Sequence, residues 1–333
     1  GCMSSAVGAY ALYSNTTGRN TSVGFKSLNA NTTGTRNTAS GGYSLCKNTT
    51  ATDNTASGYM SLLNNSTGTM NTASGSYSMT DNTTGSYQVA FGSCSLHANT
   101  TGIRNTAIGH AAVRANTTGQ DNVGLGFATL LVNTTGCRNS GLGAYALYTA
   151  TTACYNTSHG FKSLLANTTG GWNTASGAYT LSSNTTGNDN VALGYSAGSN
   201  NTTGCNNIFL GTNACACVAT YCNAVAIGKS AKACGNDWFE LGHSSHTINI
   251  PSAKLKINNS AGSNGQVLTT DGAGGISWTS VAGTGTGSVS LSACQNTFAG
   301  SGAGAALNTS GGSVACLNTA FGFNALNDTT SGC

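Results

Sequence analysis

A leucine returns every 17 residues along most of this chain, and each lies four residues after a glycine. The residues between these leucines are mainly Gly, Ser, Thr, Asn and Ala, with a small residue two positions before each glycine. A single apolar ladder of this kind is buried only when neighbouring units stack on one another. The ladder positions are Leu12, Leu28, Leu45, Leu62, Met79, Leu96, Val113, Leu130, Leu147, Leu164 and Leu181.

The glycine closes a repeated motif, Asn-Thr-Ala-x-Gly, and is called the motif glycine below. A step of 16 residues leads in from Gly8 and a step of 14 leads out to Gly242, with a period of 17 between them. A 17-residue unit is too short for a strand, a helix and two turns, so the pattern predicts an all-β, parallel β-solenoid (a β-roll). The motif glycines with the regular period are Gly24, Gly41, Gly58, Gly75, Gly92, Gly109, Gly126, Gly143, Gly160, Gly177, Gly194, Gly211 and Gly228.

Each unit reads as a strand, a short strand and a turn. The turn is Asn-Thr-Thr-Gly, as at Asn31 to Gly34, in which we expect the glycine to adopt positive φ. Coils about 4.8 Å apart would make fifteen units roughly 70 Å tall.

The period fails after Gly242, which divides the chain into three predicted parts. Residues 1–242 are the solenoid array, and 243–292 form a hairpin-rich β module with a Gly/Ser/Thr linker and a turn at Asp271-Gly272. Residues 293–333 contain restarted coils, which we expect to dock onto the next subunit.

The cysteines test the register of the stack. Residues one period apart become neighbours at the inter-strand spacing, which lies within the Cα separation that a disulfide accepts. Four pairs share a position relative to the motif glycine, which predicts four disulfides across adjacent coils. These pairs are Cys137 with Cys154, Cys205 with Cys222, Cys217 with Cys234, and Cys294 with Cys316.

Cys2 and Cys333 occupy one repeat position, six residues before the motif glycine, near opposite ends of the sequence. The last residues read as an unfinished repeat that the first residues complete, which predicts head-to-tail stacking and an intersubunit disulfide between Cys333 and Cys2. The alternative is that the sequence is a piece of a longer chain.

Composition narrows the function classes. Only 6% of residues are charged, and the formal charge of +4 comes from scattered side chains, so we expect no nucleic-acid partner. No apolar run approaches the length of a membrane span, and we expect no membrane association. Thirteen cysteines in a chain rich in Asn-x-Ser/Thr sites favour an oxidising, extracellular setting, either a cell-surface appendage or a virion fibre.

The turn asparagines form Asn-x-Ser/Thr sites in almost every unit and are candidates for N-linked glycans. The alternative is that their amides stack as a ladder inside a good turn, the role that we assign to the motif asparagines such as Asn37 and Asn54. No other cofactor is expected. The glycosylation candidates are Asn15, Asn31, Asn48, Asn65, Asn82, Asn99, Asn116, Asn133, Asn167, Asn184 and Asn201.

Other polar residues show no catalytic pattern. The acids are too dispersed for paired-carboxylate catalysis, and we read the oppositely charged residues five positions before successive motif glycines as ion pairs that fix register: Arg36 with Asp53, and Arg104, Asp121 and Arg138. The histidines mostly occupy different repeat positions, and His243 with His246 supplies too few ligands for a metal site. We therefore expect no enzyme activity and no metal.

One stretch resembles a known family. The residues Asn223-Ala-Val-Ala-Ile-Gly228-Lys-Ser-Ala-Lys-Ala are similar to the head repeat of trimeric autotransporter adhesins, and the longer repeat resembles those of phage tail-fibre proteins. The resemblance implies a left-handed parallel β-roll, usually trimeric, that acts in surface attachment.

Together these features predict a structural subunit of an extracellular fibre or filament whose partners are copies of itself, head-to-tail and, on the resemblance, as a trimer. The alternative is a receptor-binding or adhesive fibre, such as a phage tail fibre or bacterial adhesin head. There, residues 243–292 or the aromatic residues Tyr87, Tyr155 and Trp172 would contact a cell-surface or glycan receptor. A carbohydrate-active β-helix enzyme would need clustered carboxylates on one face, which the repeat does not provide.

Overall fold

A computed structural model describes residues 3–243 together with 266–270, 276–280, 290–291, 297–299 and 319–321. The chain divides into two compact units, Gly1–Ile248 and Asn249–Cys333. The described residues form strands and turns, with no helix among them and hence no helix that could cross a membrane. The protein is an all-β parallel solenoid, as the 17-residue period predicted.

The strands of the first unit are three residues long in all but two cases. They are β1 (Ser5–Val7), β2 (Thr21–Val23), β3 (Thr38–Ser40), β4 (Thr55–Ser57), β5 (Thr72–Ser74), β6 (Val89–Phe91), β7 (Thr106–Ile108), β8 (Val123–Leu125), β9 (Ser140–Leu142), β10 (Thr157–His159), β11 (Thr174–Ser176), β12 (Val191–Leu193), β13 (Ile208–Leu210), β14 (Cys215–Ala216), β15 (Val225–Ile227), β16 (Lys232–Ala233) and β17 (Phe239–Leu241).

One parallel sheet of 15 strands runs along this unit, in the order β1 to β13, then β15 and β17. Its register never slips: Thr38 pairs with Thr55, and Thr55 with Thr72, so each residue faces the residue one coil away. Strands β14 and β16 form a second parallel pair in the last coils. In β2 to β13 and in β15 the central residue is buried and the outer two are more exposed, as in β3.

The second unit contains β18 (Gln266–Thr270), β19 (Ile276–Ser280), β20 (Ser290–Leu291), β21 (Thr297–Ala299) and β22 (Thr319–Phe321). Strands β18 and β19 pair antiparallel, with Leu268 opposite Trp278, which is the hairpin that the sequence predicted; its turn at Asp271-Gly272 lies outside the described residues. Strand β21 pairs antiparallel with β20 and parallel with β22.

The core of the first unit is the predicted apolar ladder. From Leu28 to Leu181 each ladder residue is fully buried, while Leu12 in the first coil is only partly buried. The central strand residues, mostly alanine, pack against this ladder, as Ala39 and Ala56 do. Phe209 is the largest fully buried side chain, and its ring lies beside Gly198, where a Cβ would lie within 3.0 Å of the ring edge. A bulky strand residue is thus accommodated by a glycine.

The segment that carries each ladder residue does not form the second strand that the sequence predicted. Residues two and four after the motif glycine both adopt positive φ, as Tyr43 (59°) and Leu45 (49°) do, so the chain coils tightly there instead of extending. Within the described coils of residues 3–243, a second strand forms only at β14 and β16. Positive φ is uncommon for residues other than glycine, and here it recurs in nearly every coil.

The two glycines of each unit have different reasons to be glycine. The motif glycine has φ between 122° and 139° in the regular coils, a conformation that other residues rarely adopt. The turn glycine does not adopt positive φ, so that expectation is wrong. Space favours glycine there, because a Cβ at Gly34 would overlap both the carbonyl oxygen of Ala51 in the next coil and the side chain of Asn31. Alanine replaces this glycine at positions 51 and 153.

We predict that Gly41→Ala lowers the free energy of unfolding by about 2–4 kcal/mol, because Gly41 combines a φ of 139° with a Cβ position only 2.6 Å from the carbonyl carbon of Gly58. The neighbouring Gly42→Ala is the matched control: its Cβ would touch only the ring of Tyr59, at 3.5 Å, and we expect a change within about 1 kcal/mol. Denaturant unfolding of both variants measures the difference. Equal losses would show that the motif glycine is not conformationally required.

Candidate functional site

The turn asparagines form a buried ladder inside the solenoid. In all of them except Asn15 and Asn167 the side-chain nitrogen donates to the side-chain oxygen of the asparagine one coil before, as Asn48 does to Asn31 at 2.7 Å. The same nitrogen donates to the carbonyl oxygen three residues ahead, as Asn65 does to Gly68 at 2.9 Å. Asparagine is thus the residue that satisfies both the turn and its neighbour. The fully buried members are Asn31, Asn48, Asn65, Asn82, Asn99, Asn116, Asn133, Asn167, Asn184 and Asn201.

This burial corrects the glycosylation prediction for those ten asparagines. A glycan attaches through the amide nitrogen, which here is fully buried and donates to neighbouring oxygens, so the folded coil leaves no room for a sugar. Asn15, in the first coil, is partly exposed, and its amide nitrogen donates to the carbonyl oxygen of Thr17. The threonine after each turn asparagine is structural as well, since the hydroxyl of Thr32 donates to the carbonyl oxygen of Thr49 at 3.1 Å.

The turn ladder breaks at one coil. Position 150 is alanine, so the side-chain oxygen of Asn133 is buried without a hydrogen-bond donor. The ladder resumes at Asn167 and continues to Asn201. The missing amide at position 150 thus leaves a buried oxygen of Asn133 unsatisfied, which is energetically unfavourable.

The motif asparagines form a second buried ladder, the amide ladder that the sequence predicted for Asn37, Asn54, Asn71, Asn105 and Asn173. The side-chain oxygen of each accepts from the backbone nitrogen one coil on, as Asn37 does from Asn54 at 3.0 Å. The side-chain nitrogen donates to a turn carbonyl of the next coil, as in the 2.8 Å bond from Asn37 to Ala51. Gln88 replaces asparagine in one coil, and its longer side chain instead donates to Asn82 at 3.0 Å.

Three of the predicted cysteine pairs lie within the described residues, and the structure brings each pair together. Cys217 and Cys234 are joined by a disulfide, with 4.7 Å between their Cα atoms. The other two pairs are thiols in contact, with 2.9 Å between the sulfurs of Cys137 and Cys154 and 2.7 Å between those of Cys205 and Cys222. Their disulfides remain predictions. The pairs Cys294 with Cys316 and Cys333 with Cys2, like His246, lie outside the described residues.

Cys137 and Cys205 are poor nucleophiles in the reduced form, because their surroundings raise the pKa of each thiol. Burial, together with the neighbouring Cys154, raises the pKa of Cys137 to about 11. The contact with Cys222 raises the pKa of Cys205. A thiol with a raised pKa carries little thiolate at neutral pH, so these positions suit structural crosslinks better than covalent catalysis.

An exposed column of side chains lies five residues before successive motif glycines and includes the predicted ion pairs. Arg36 donates two hydrogen bonds to the Asp53 carboxylate, at 2.5 and 2.7 Å. Arg104 donates two to the Asp121 carboxylate, at 2.6 and 3.0 Å. Arg138 approaches the other side of Asp121 at 4.0 Å. The hydrogen bonds from the arginines hold the pKa of both aspartates below its ordinary value.

An aromatic row that was not among the sequence predictions lies on another edge of the solenoid. Its rings come alternately from one or two residues after the motif glycine, except that His110 and Phe127 both follow it directly, and this pattern is visible in the sequence. Neighbouring rings pack mostly edge to face with centroids 5.2–6.2 Å apart, as Phe25 and Tyr43 do. The row comprises Tyr10, Phe25, Tyr43, Tyr59 and Tyr77, then His110, Phe127, Tyr145, Phe161, Tyr179 and Tyr195.

The row is interrupted in the Gly92 coil, which has serine and cysteine at the two ring positions. Beside this coil is a shallow depression of about 330 Å³ lined by His97, Ala98, Arg114, Ala115, Leu131 and Val132. The imidazole of His97 lies 3.7 Å from the carboxylate of Asp81 and packs against the Tyr77 ring.

The remaining histidines are dispersed. His110 stacks on Phe127, while His159 and His243 lie on the surface at separate places. Over the part of the chain that the structure describes, no group of three or more His, Cys, Asp or Glu residues could hold a metal ion. Comparisons of this chain with family models, with curated proteins and with solved structures give no match.

We predict that Asn65→Ala lowers the free energy of unfolding by about 2–4 kcal/mol, because it leaves the side-chain oxygen of Asn48 without its donor and the nitrogen of Asn82 without one acceptor. The adjacent Asn64→Ala is the control, since Asn64 is partly exposed and makes one hydrogen bond to Asp81. Denaturant unfolding should show a loss under about 1 kcal/mol for the control. Similar losses for both would contradict a stabilising turn ladder.

We predict that oxidised protein, alkylated under denaturing conditions and mapped by mass spectrometry, yields Cys137 joined to Cys154 and Cys205 joined to Cys222. The sulfurs of each pair already touch, whereas Cys46 and Cys94 have no cysteine one coil away and should be recovered as alkylated thiols. In the control variant Cys154→Ser, Cys137 should become alkylated while the Cys205 pair is unchanged. Scrambled pairs would contradict the register argument.

Proposed function

We propose that this chain is a structural subunit of an extracellular fibre or filament assembled head-to-tail. The observation that carries the proposal is the uniform register of the 15-stranded parallel sheet, in which every coil presents to the next the same backbone groups that it receives from the one before. Strand β1 pairs with β2 on one side only among the described strands. The groups on its other side can therefore accept a further coil from another subunit.

The interactions along the axis support a structural role. The apolar ladder, both asparagine ladders and the cysteine pairs all connect one coil to the next. Disulfides across coils would favour an oxidising, extracellular location, and each would close a short loop and stabilise the fold by about 3 kcal/mol. A non-enzymatic role fits the same picture, since most recurring polar side chains are used in these ladders.

A second candidate, a receptor-binding or adhesive fibre of the kind that the resemblance to adhesin heads and phage fibres suggests, is favoured by exposed aromatic side chains. Tyr87 and Trp172 are each 58% exposed and Tyr155 is 41% exposed, a state in which large rings are available to a partner. Lateral association, including a trimer, is supported by the outward apolar residues Leu193 and Ile208 on the sheet face.

We predict that Ala6→Pro abolishes head-to-tail assembly and leaves the subunit folded. The nitrogen of Ser5 and the carbonyl of Val7 bond toward the second coil, so by alternation along the strand the nitrogen of Ala6 points to the open edge, where proline removes the donor. Ala6→Ser is the control, because it keeps the donor and serine occupies the same position at Ser22.

Electron microscopy of the purified chain and of both variants provides the measurement. Filaments with an axial spacing of about 4.8 Å between coils in the parent and in Ala6→Ser, with isolated subunits in Ala6→Pro, are expected. Discrete capped trimers in all three samples would refute the filament and favour the adhesive candidate.

A further inference from the structure

The column of side chains five residues before the motif glycines is continuous over five coils. Arg104 bonds to Asp121, Arg138 approaches Asp121, and the guanidinium of Arg138 lies over the ring of Tyr155. Tyr155 in turn stacks on Trp172, with ring centroids 5.3 Å apart and ring planes 6° from parallel. The indole of Trp172 is 58% exposed and ends this series of contacts.

Arg138 shows how this surface holds a guanidinium group. Its central carbon lies 5.2 Å from the Tyr155 ring centroid, its Nη1 donates to the Tyr155 hydroxyl, and its Nε lies 4.0 Å from the Asp121 carboxylate. A cation is thus held between an aromatic face and a carboxylate. Each of these three residues occupies the same position in successive coils.

An aromatic face and a carboxylate recur further along the column, this time in adjacent coils, and no cation from the described residues contacts them. Asp189 occupies the column position one coil after Trp172 and is exposed, and its carboxylate makes no hydrogen bond or ion pair within the described range. Asp189 lies in the coil directly beside Trp172, since its backbone nitrogen donates to the carbonyl oxygen of Gly171 at 3.1 Å.

We propose that Trp172 and Asp189 form a binding site for a guanidinium group, presented as an arginine side chain by a partner protein. The indole face receives the plane of the guanidinium, and the carboxylate accepts its N–H donors, as the ring of Tyr155 and the carboxylate of Asp121 do for Arg138. This inference rests on the second candidate function, in which the exposed aromatic residues contact a partner.

The chemistry of the site favours arginine over other occupants. A guanidinium is planar and weakly hydrated, so it stacks on a ring and pairs with a carboxylate at the same time, whereas an ammonium is a compact, strongly hydrated charge. A neutral sugar could stack on the indole but would gain little from the charge of Asp189. Removal of the charge at Asp189 should therefore weaken binding of an arginine but not of a neutral sugar.

The experiment uses the full chain with Trp238→Phe and Trp278→Phe, so that Trp172 is the remaining tryptophan of the three in the sequence. N-acetylarginine amide is titrated while Trp172 fluorescence is recorded, beside the uncharged citrulline analogue, N-acetyllysine amide and methyl glucoside. We expect saturable quenching by the arginine compound, with binding at least about fivefold weaker for the lysine compound and weaker still for the two neutral compounds.

The key variant is Asp189→Asn, which should weaken arginine binding at least about fivefold and leave unfolding unchanged, since the carboxylate bonds to nothing within the described chain. Asp237→Asn, at the same column position three coils on, is the control and should bind arginine as the parent does. Equal binding of arginine and citrulline, full arginine affinity in Asp189→Asn, or preference for the glucoside would each overturn the proposal.

Electron microscopy of the same samples separates this proposal from filament assembly. Arginine binding by chains that form no filaments would refute the filament and support the site. Filaments that bind no arginine would refute the site and leave the filament proposal in place.

Discussion

The structure depends on one constraint, that each residue lies beside its own equivalent in the next coil. Parallel strands in constant register impose this relation on every position at once, from the buried leucine to the exposed arginine. A side chain is therefore favoured where copies of it, or of a complement, interact well at the inter-strand spacing. Leucine, asparagine and aromatic side chains interact well with copies of themselves, and Arg36 interacts well with its complement, Asp53.

Asparagine solves the polar part of this problem. A coil of 17 residues has too few apolar side chains to fill its interior, and its turns leave carbonyl groups pointing inward. Two amide ladders, seen at Asn48 and Asn54, satisfy those carbonyls and also connect neighbouring coils. Because both ends of each amide are used, the buried polar column behaves as part of the core. The unpaired oxygen of Asn133 shows that this dependence extends to single residues.

The sequence specified the stacking well and the path of the chain within a coil poorly. The period located the strands, the ladder and the positions of the cysteines, since these follow from spacing alone. It did not reveal that Tyr43 and Leu45 adopt positive φ, because no local preference of these residues favours that conformation and only the stacked neighbours enforce it. Sequons at positions such as Asn99 suggested glycans because a surface glycosylation site and a buried asparagine ladder have the same residue pattern. Only the burial of the asparagine distinguishes them. Contacts between unlike residues at one repeat position, such as Arg138 on Tyr155, also follow from the register, but their geometry required coordinates.

The alternating aromatic row has a consequence for how such an array changes length during evolution. Deletion or duplication of one 17-residue coil preserves backbone pairing, yet it places two rings of the same offset side by side and disturbs the edge-to-face order seen from Phe25 to Tyr77. His110 and Phe127 are such a pair, and their rings stack face to face. A genetic event that removes or copies two coils preserves both. Recombination among these repeated segments is thus expected to leave viable products mainly in pairs of coils, and the row records which steps were taken.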